Sequence, residues 1–98
     1  MRNGTLRDAG PENTASGTVD LDAATLTLRD VNIDDAPDAI VLLTHDHARE
    51  GAINLGPLIA FQGTHEYRVP DDVDASQYGS VTVWCEEYSV PMGFAELE

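Results

Sequence analysis

The feature that most constrains this chain is an alternation with a period of two. From Ser80 to Glu86, Val81, Val83 and Cys85 point one way, while Thr82, Trp84 and Glu86 point the other. Successive side chains alternate across a strand, so this is the pattern of a β-strand with one buried face. Val and Trp also suit a pleated, half-buried surface. Cys85 travels with the apolar face, and it is the single cysteine of the chain. Taken from Tyr78 to Leu97, the stretch holds the only Trp, two of the three Tyr and one of the two Phe.

The alternation recurs along the chain. Val19 and Leu21, then Leu26 and Leu28, alternate with polar residues and predict a hairpin over Gly17 to Asp30, turning at Asp22-Ala23-Ala24. Val31 to Ile33 continues it. Ala39 to Thr44 is an unbroken apolar run of strand length, the signature of a central strand buried on both faces. His45 to Gly51 reads as a polar loop and Ala52 to Leu55 as a short strand. Thr64 to Val69 alternates again, with His65, Tyr67 and Val69 on one face. The acidic segment Asp71 to Gln77 suits a short helical turn, and a last strand runs from Met92 to Leu97. No amphipathic helix of three turns is present. The expected fold is all-β: one small β-sandwich or barrel-like domain of about seven to eight short antiparallel strands. Met1 to Ser16 is polar and reads as an N-terminal arm, leaving residues 17–98 as the β domain.

Charge narrows the partners. The 98 residues carry 18 acidic and 5 basic side chains, a formal net charge of −13, and every basic residue is Arg. Repulsion at this density weakens a compact state in dilute buffer and is screened by salt. The composition fits a protein from a salt-rich cytoplasm or brine, such as that of a halophilic archaeon, or an acidic surface that meets a basic partner. It disfavours nucleic acid, since no basic patch is available to neutralise phosphates. No apolar run reaches the ~18 residues of a membrane span, so no membrane insertion is expected. The first residues hold no apolar leader, which predicts a cytoplasmic protein if the chain is complete.

Several segments together resemble a known family. In order they are Gly17-Thr-Val, Ala36-Pro-Asp-Ala39, Ile53-Asn-Leu-Gly-Pro-Leu58, Gly63-Thr-His-Glu-Tyr-Arg-Val-Pro70, Tyr78-Gly-Ser-Val-Thr-Val-Trp-Cys85 and Val90-Pro-Met-Gly-Phe-Ala-Glu-Leu97. From about Ser16 to Leu97 the chain resembles the DM13 domain. The resemblance implies an all-β domain, often beside DOMON-type domains, proposed to carry electrons and usually extracytoplasmic. It implies that the hallmark cysteine, Cys85, is a redox thiol or a ligand to haem or metal, with a redox protein or DOMON-type domain as partner.

The residues themselves leave Cys85 open. Free Cys is among the most buried residue types, so a packed core thiol is the plain reading. Glu86 and Glu87 follow directly and disfavour a thiolate nucleophile, so a ligand role fits better than a naked nucleophile. Met92 lies seven residues on, as an axial Met for a blue-copper site, yet the His that the copper pattern places between its Cys and Met is absent here. Trp84 and Met92 are the candidate cofactor contacts beside Cys85, with haem or copper as the candidate cofactor. His45 and His47 can place two imidazoles on one side of an extended segment, as half of a metal site. Asp38 precedes the buried strand, where a carboxylate caps loop amides or serves a cation. No catalytic constellation is present, which argues against an enzyme. Two functions remain: an electron-transfer accessory domain using Cys85, and a non-catalytic binding module in which Cys85 only packs.

Overall fold

The computed structural model describes residues 2–10, 14–22 and 24–98. Ala23 of the expected hairpin turn, and Met1, Pro11, Glu12 and Asn13 of the expected arm, lie outside these. Nine strands follow in order: β1 (Arg2–Thr5), β2 (Arg7–Asp8), β3 (Ala15–Leu21), β4 (Thr25–Ile33), β5 (Ala39–His45), β6 (Ala48–Pro57), β7 (Gln62–Arg68), β8 (Ser80–Cys85) and β9 (Val90–Glu96). The sole helical element among the described residues is a 3-10 turn, Ala75–Gln77, capped by the Asp74 side chain. The strands form two antiparallel sheets. One has four strands in the order β1-β3-β4-β7, and the other has five in the order β2-β9-β8-β5-β6. The fold is an all-β sandwich.

The hairpin of β3 and β4 forms as its alternation dictates. Val19 pairs with Leu28 and Leu21 with Leu26, and all four are buried. A strict period of two would then send Val31 and Ile33 to the opposite face from Leu28. A bulge between Leu28 and Val31 corrects the phase, so Val31 and Ile33 also enter the core. Asp30 takes the left-handed conformation there (φ 51°), and its amide donates to Thr64 Oγ1 at 3.0 Å. On the partner strand Gly17 answers the bulge with φ 120°, and a Cβ at that position would lie 2.7 Å from Val31 Cα.

The five-stranded sheet contributes Val41, Leu43, Val81, Val83, Cys85 and Ala95 to the same core. Ala39 to Thr44 is buried at every residue, as its apolar run predicts. The reading of β8 as a strand with one buried face needs correction, because Ser80 and Thr82 are also buried. The cover comes from the turn joining β5 and β6. This is a two-residue turn at Asp46 and His47, both with positive φ (52° and 68°), as a type I′ hairpin turn requires. The polar loop expected over His45 to Gly51 is therefore only these two residues, and β6 starts at Ala48.

The stretch expected to be an N-terminal arm supplies strands to both sheets. β1 pairs with β3, and β2 pairs with β9. Leu6, between them, is buried, and its amide donates to Gly17 O at 2.9 Å. Gly93 permits the close approach of these layers, since a Cβ there would sit 2.6 Å from Ala15 Cβ.

Candidate functional site

Cys85 closes β8 at one end of the sandwich. It pairs with Ala39 on β5 and Val90 on β9, and its residue is 0% exposed. Its Sγ lies 3.1 Å from Pro37 O, to which the thiol donates. The loop above it is held by a second bond, Glu86 N to Asp38 O at 3.1 Å. Asp38 takes φ 56° to bring the chain back into β5, a conformation that Asp tolerates better than most residues. Pro37 and Asp38 are themselves exposed. The carbonyl that meets the sulfur thus belongs to a loop whose residues face solvent.

The carboxylate that secures this loop is Asp34. It accepts from Thr14 N at 2.9 Å and from Thr14 Oγ1 at 2.8 Å, and these bonds hold it below the usual carboxylate range. Asp38 contributes through its backbone carbonyl. The same end carries the exposed apolar side chains. Tyr88 lies in the turn between β8 and β9, Val90 opens β9 opposite Cys85, and Ile59 follows Leu58, whose amide donates to Ala39 O.

The cofactor candidates do not converge. Trp84 lies on the opposite face of β8 from Cys85. Met92 is buried in the same core as Cys85, at the irregularity between β8 and β9. His45 lies six residues along β5 from the residue that faces Cys85, roughly 20 Å at about 3.3 Å per residue. The two imidazoles also part from each other. His45 stacks on Tyr78 at 4.4 Å between centroids, and His47 stacks on Phe94 at 4.0 Å. His47 Nε2 lies 3.6 Å from Glu96 Oε1. Among the described residues no three His, Cys, Asp or Glu side chains are grouped to hold a metal ion. A Cys, two His and Met copper set does not fit this arrangement. Haem does not fit at Cys85 either, where the sulfur is enclosed by packed strands.

A different cluster occupies the far end of the same strands. Thr44 Oγ1 bonds Ser80 Oγ at 2.6 Å and Thr82 Oγ1 at 3.1 Å, and all three hydroxyls are buried. Ser80 Oγ also accepts from His47 N at 3.1 Å. A polar cleft of about 510 Å³ opens beside it, lined by Asp46, His47, Ser80 and Glu96 among others. The hydroxyls satisfy one another and the turn above them, as buried polar groups must. The sequence signalled neither this cluster nor its roof, because both depend on which strands are neighbours.

The class defined by these features is a small antiparallel β-sandwich with one buried thiol beneath an exposed loop. The family can now be stated: a family model described as electron transfer DM13 matches residues 8–97, and the chain belongs to that family. No curated protein and no solved structure matches the chain.

Proposed function

We propose that this chain is an electron-transfer accessory domain in which Cys85 is the working redox thiol. The observation that carries this reading is the bond from the buried sulfur to the carbonyl of an exposed loop, in a chain whose family is described as electron transfer. Displacing Ala36 to Asp38 breaks the S–H···O bond to Pro37 and the bond from Glu86 N to Asp38 O, and opens a path to the sulfur. The partner proposed is a redox protein, such as a DOMON-type domain, that presents a disulfide. Cys85 loses its proton to solvent and attacks one sulfur of that disulfide. The partner's S–S bond breaks, a bond between Cys85 and the partner forms, and the other partner sulfur leaves as a thiolate. Cys85 is oxidised as the leaving sulfur is reduced. Exposed Tyr88, Val90 and Ile59 offer the apolar contact, and the acidic surface favours a basic rim on the partner.

The second reading is that Cys85 only packs, in a non-catalytic binding module. Its complete burial and satisfied hydrogen bond favour this. Labelling of the folded protein with an aromatic disulfide reagent separates the two. The redox reading expects labelling faster than global unfolding, and faster still in Pro37→Gly. If the thiol labels only at the rate of global unfolding, Cys85 is core and the binding-module reading replaces the redox one.

A further inference from the structure

We propose that Tyr67 and His65 form a second redox site, a proton-coupled pair in which electron loss from Tyr67 is accompanied by transfer of its phenolic proton to His65 Nδ1. The two residues alternate onto one face of β7, and Tyr67 is only 4% exposed. Tyr67 Oη lies 2.9 Å from His65 Nδ1, and the rings meet edge to face with centroids 5.6 Å apart. The Ile59 amide donates to the same phenolic oxygen at 2.9 Å.

Counting donors and acceptors assigns the proton. A tyrosine hydroxyl has one hydrogen to donate, and a neutral imidazole has one N–H and one lone pair. His65 Nε2 is buried with no partner among the described residues. If Nδ1 carried the hydrogen, the phenolic O–H and the Nε2 lone pair would both be unsatisfied. With the phenol donating to Nδ1, only the Nε2–H is left unpaired. Each buried unsatisfied group costs about 1–3 kcal/mol, so the second arrangement prevails. The Tyr67 proton thus points along a short bond at a basic nitrogen.

Burial pushes the Tyr67 phenol above its usual range, and the Ile59 bond opposes this only in part. Ionisation without electron loss is therefore disfavoured, and electron loss without proton loss would leave an uncompensated buried cation. Moving both together avoids each charged intermediate at the phenol. The step balances: one electron leaves Tyr67 for a high-potential haem or copper centre on a partner protein. The O–H bond breaks, an Nδ1–H bond forms, and a neutral tyrosyl radical stands beside an imidazolium. Re-reduction returns the proton. The route outward is short, because Ile59, whose amide touches the phenol oxygen, is 62% exposed. This proposal does not rest on Cys85.

The test is flash oxidation of the folded protein with photogenerated ruthenium(III) tris-bipyridine, read by transient absorption and by electron paramagnetic resonance. Tyr67, Tyr78 and Tyr88 are the only tyrosines. The double variant Tyr78→Phe/Tyr88→Phe is expected to keep a neutral tyrosyl signal, and Tyr67→Phe to lose the long-lived signal. His65→Leu removes the proton acceptor but keeps the phenol. It is expected to slow radical formation about tenfold, a barrier rise of about 1.4 kcal/mol. Absence of a tyrosyl signal in the double variant, or an unchanged rate in His65→Leu, overturns the proposal.

Discussion

The two ends of the β5 and β8 pair solve opposite problems with the same two strands. At the Ser80 end, three hydroxyls lie where apolar side chains would otherwise be, and they are satisfied by one another and by the His47 amide. At the Cys85 end a single sulfur makes one weak bond to a loop carbonyl. The first end is locked by several directional bonds, and losing one partner removes a bond from each hydroxyl or amide that it met. The second end is closed by an exposed loop held there by two hydrogen bonds, Cys85 Sγ to Pro37 O and Glu86 N to Asp38 O. The difference shows where local opening is cheap in this domain, and it is at the thiol.

The largest expected effect breaks the locked end. Ser80→Ala leaves the His47 amide without its partner and the Thr44 hydroxyl with Thr82 alone, and should cost about 2–3 kcal/mol in denaturant unfolding. At the other end, Cys85→Ala removes one buried atom, and the exposed Pro37 carbonyl can turn to water. Its expected cost is about 1 kcal/mol, near that of a single buried methyl group. If Cys85→Ala costs as much as Ser80→Ala, the two ends do not differ as described.

Salt should sharpen the contrast. Asp34, Asp35, Asp38, Glu86 and Glu87 gather around the thiol end, within a chain of formal charge −13. Screening should raise the melting temperature from dilute buffer to molar KCl by about 4–8 °C, as about 1 kcal/mol does for a domain of this size. Amide exchange should slow more at Glu86 than at His47. Equal slowing at both would assign the effect to net charge alone.

The smallest expected effect concerns acid. Asp34 secures the thiol-end loop, and Asp74 caps the 3-10 turn that leads to Ser80. Hydrogen bonds from Thr14 and from Ser76 hold their carboxyls below the ordinary value of 3.8. A lowered folded-state value means stabilisation that is present above the unfolded value and lost as pH falls through the lower folded one. Both caps should therefore release only below about pH 3.8. Asp34→Asn should remove that acid response at the Thr14 amide and leave it at the Ser76 amide, as seen by NMR titration.

Much of this architecture was legible in the sequence, and the exceptions have identifiable causes. The paired alternations of Val19, Leu21, Leu26 and Leu28 are local, and they specified their hairpin. The apolar run from Ala39 to Thr44 specified a strand without an exposed face. Thr82 was misread because its cover, the turn at Asp46 and His47, comes from a residue 35 positions away. That turn was missed because its left-handed residues are Asp and His, not the Asn-Gly or Asp-Gly pairs that advertise a tight hairpin. The edge strands β1 and β2 are too short and polar to announce themselves, and only their partners make them strands. Of the site, the depth of Cys85 followed from its phase in β8. The Pro37 contact depended on how the preceding loop returns, and the Ile59 bond to Tyr67 on how the chain after β6 passes β7, so neither could be read from spacing, although His65 and Tyr67 already shared a face.

The pairing of β2 with β9 joins residues near the start of the chain to residues near its end, and Asn3 and Glu98 exchange backbone hydrogen bonds. During synthesis, β2 cannot join its sheet until β9 has emerged, whereas the sheet of β1 is complete once β7 has. Closing so long a loop must precede the reward of these contacts, which slows folding relative to a protein of local contacts. Until that moment β2 lacks its partner strand, and the unpaired edge of an incomplete sheet is where one nascent copy can pair with another.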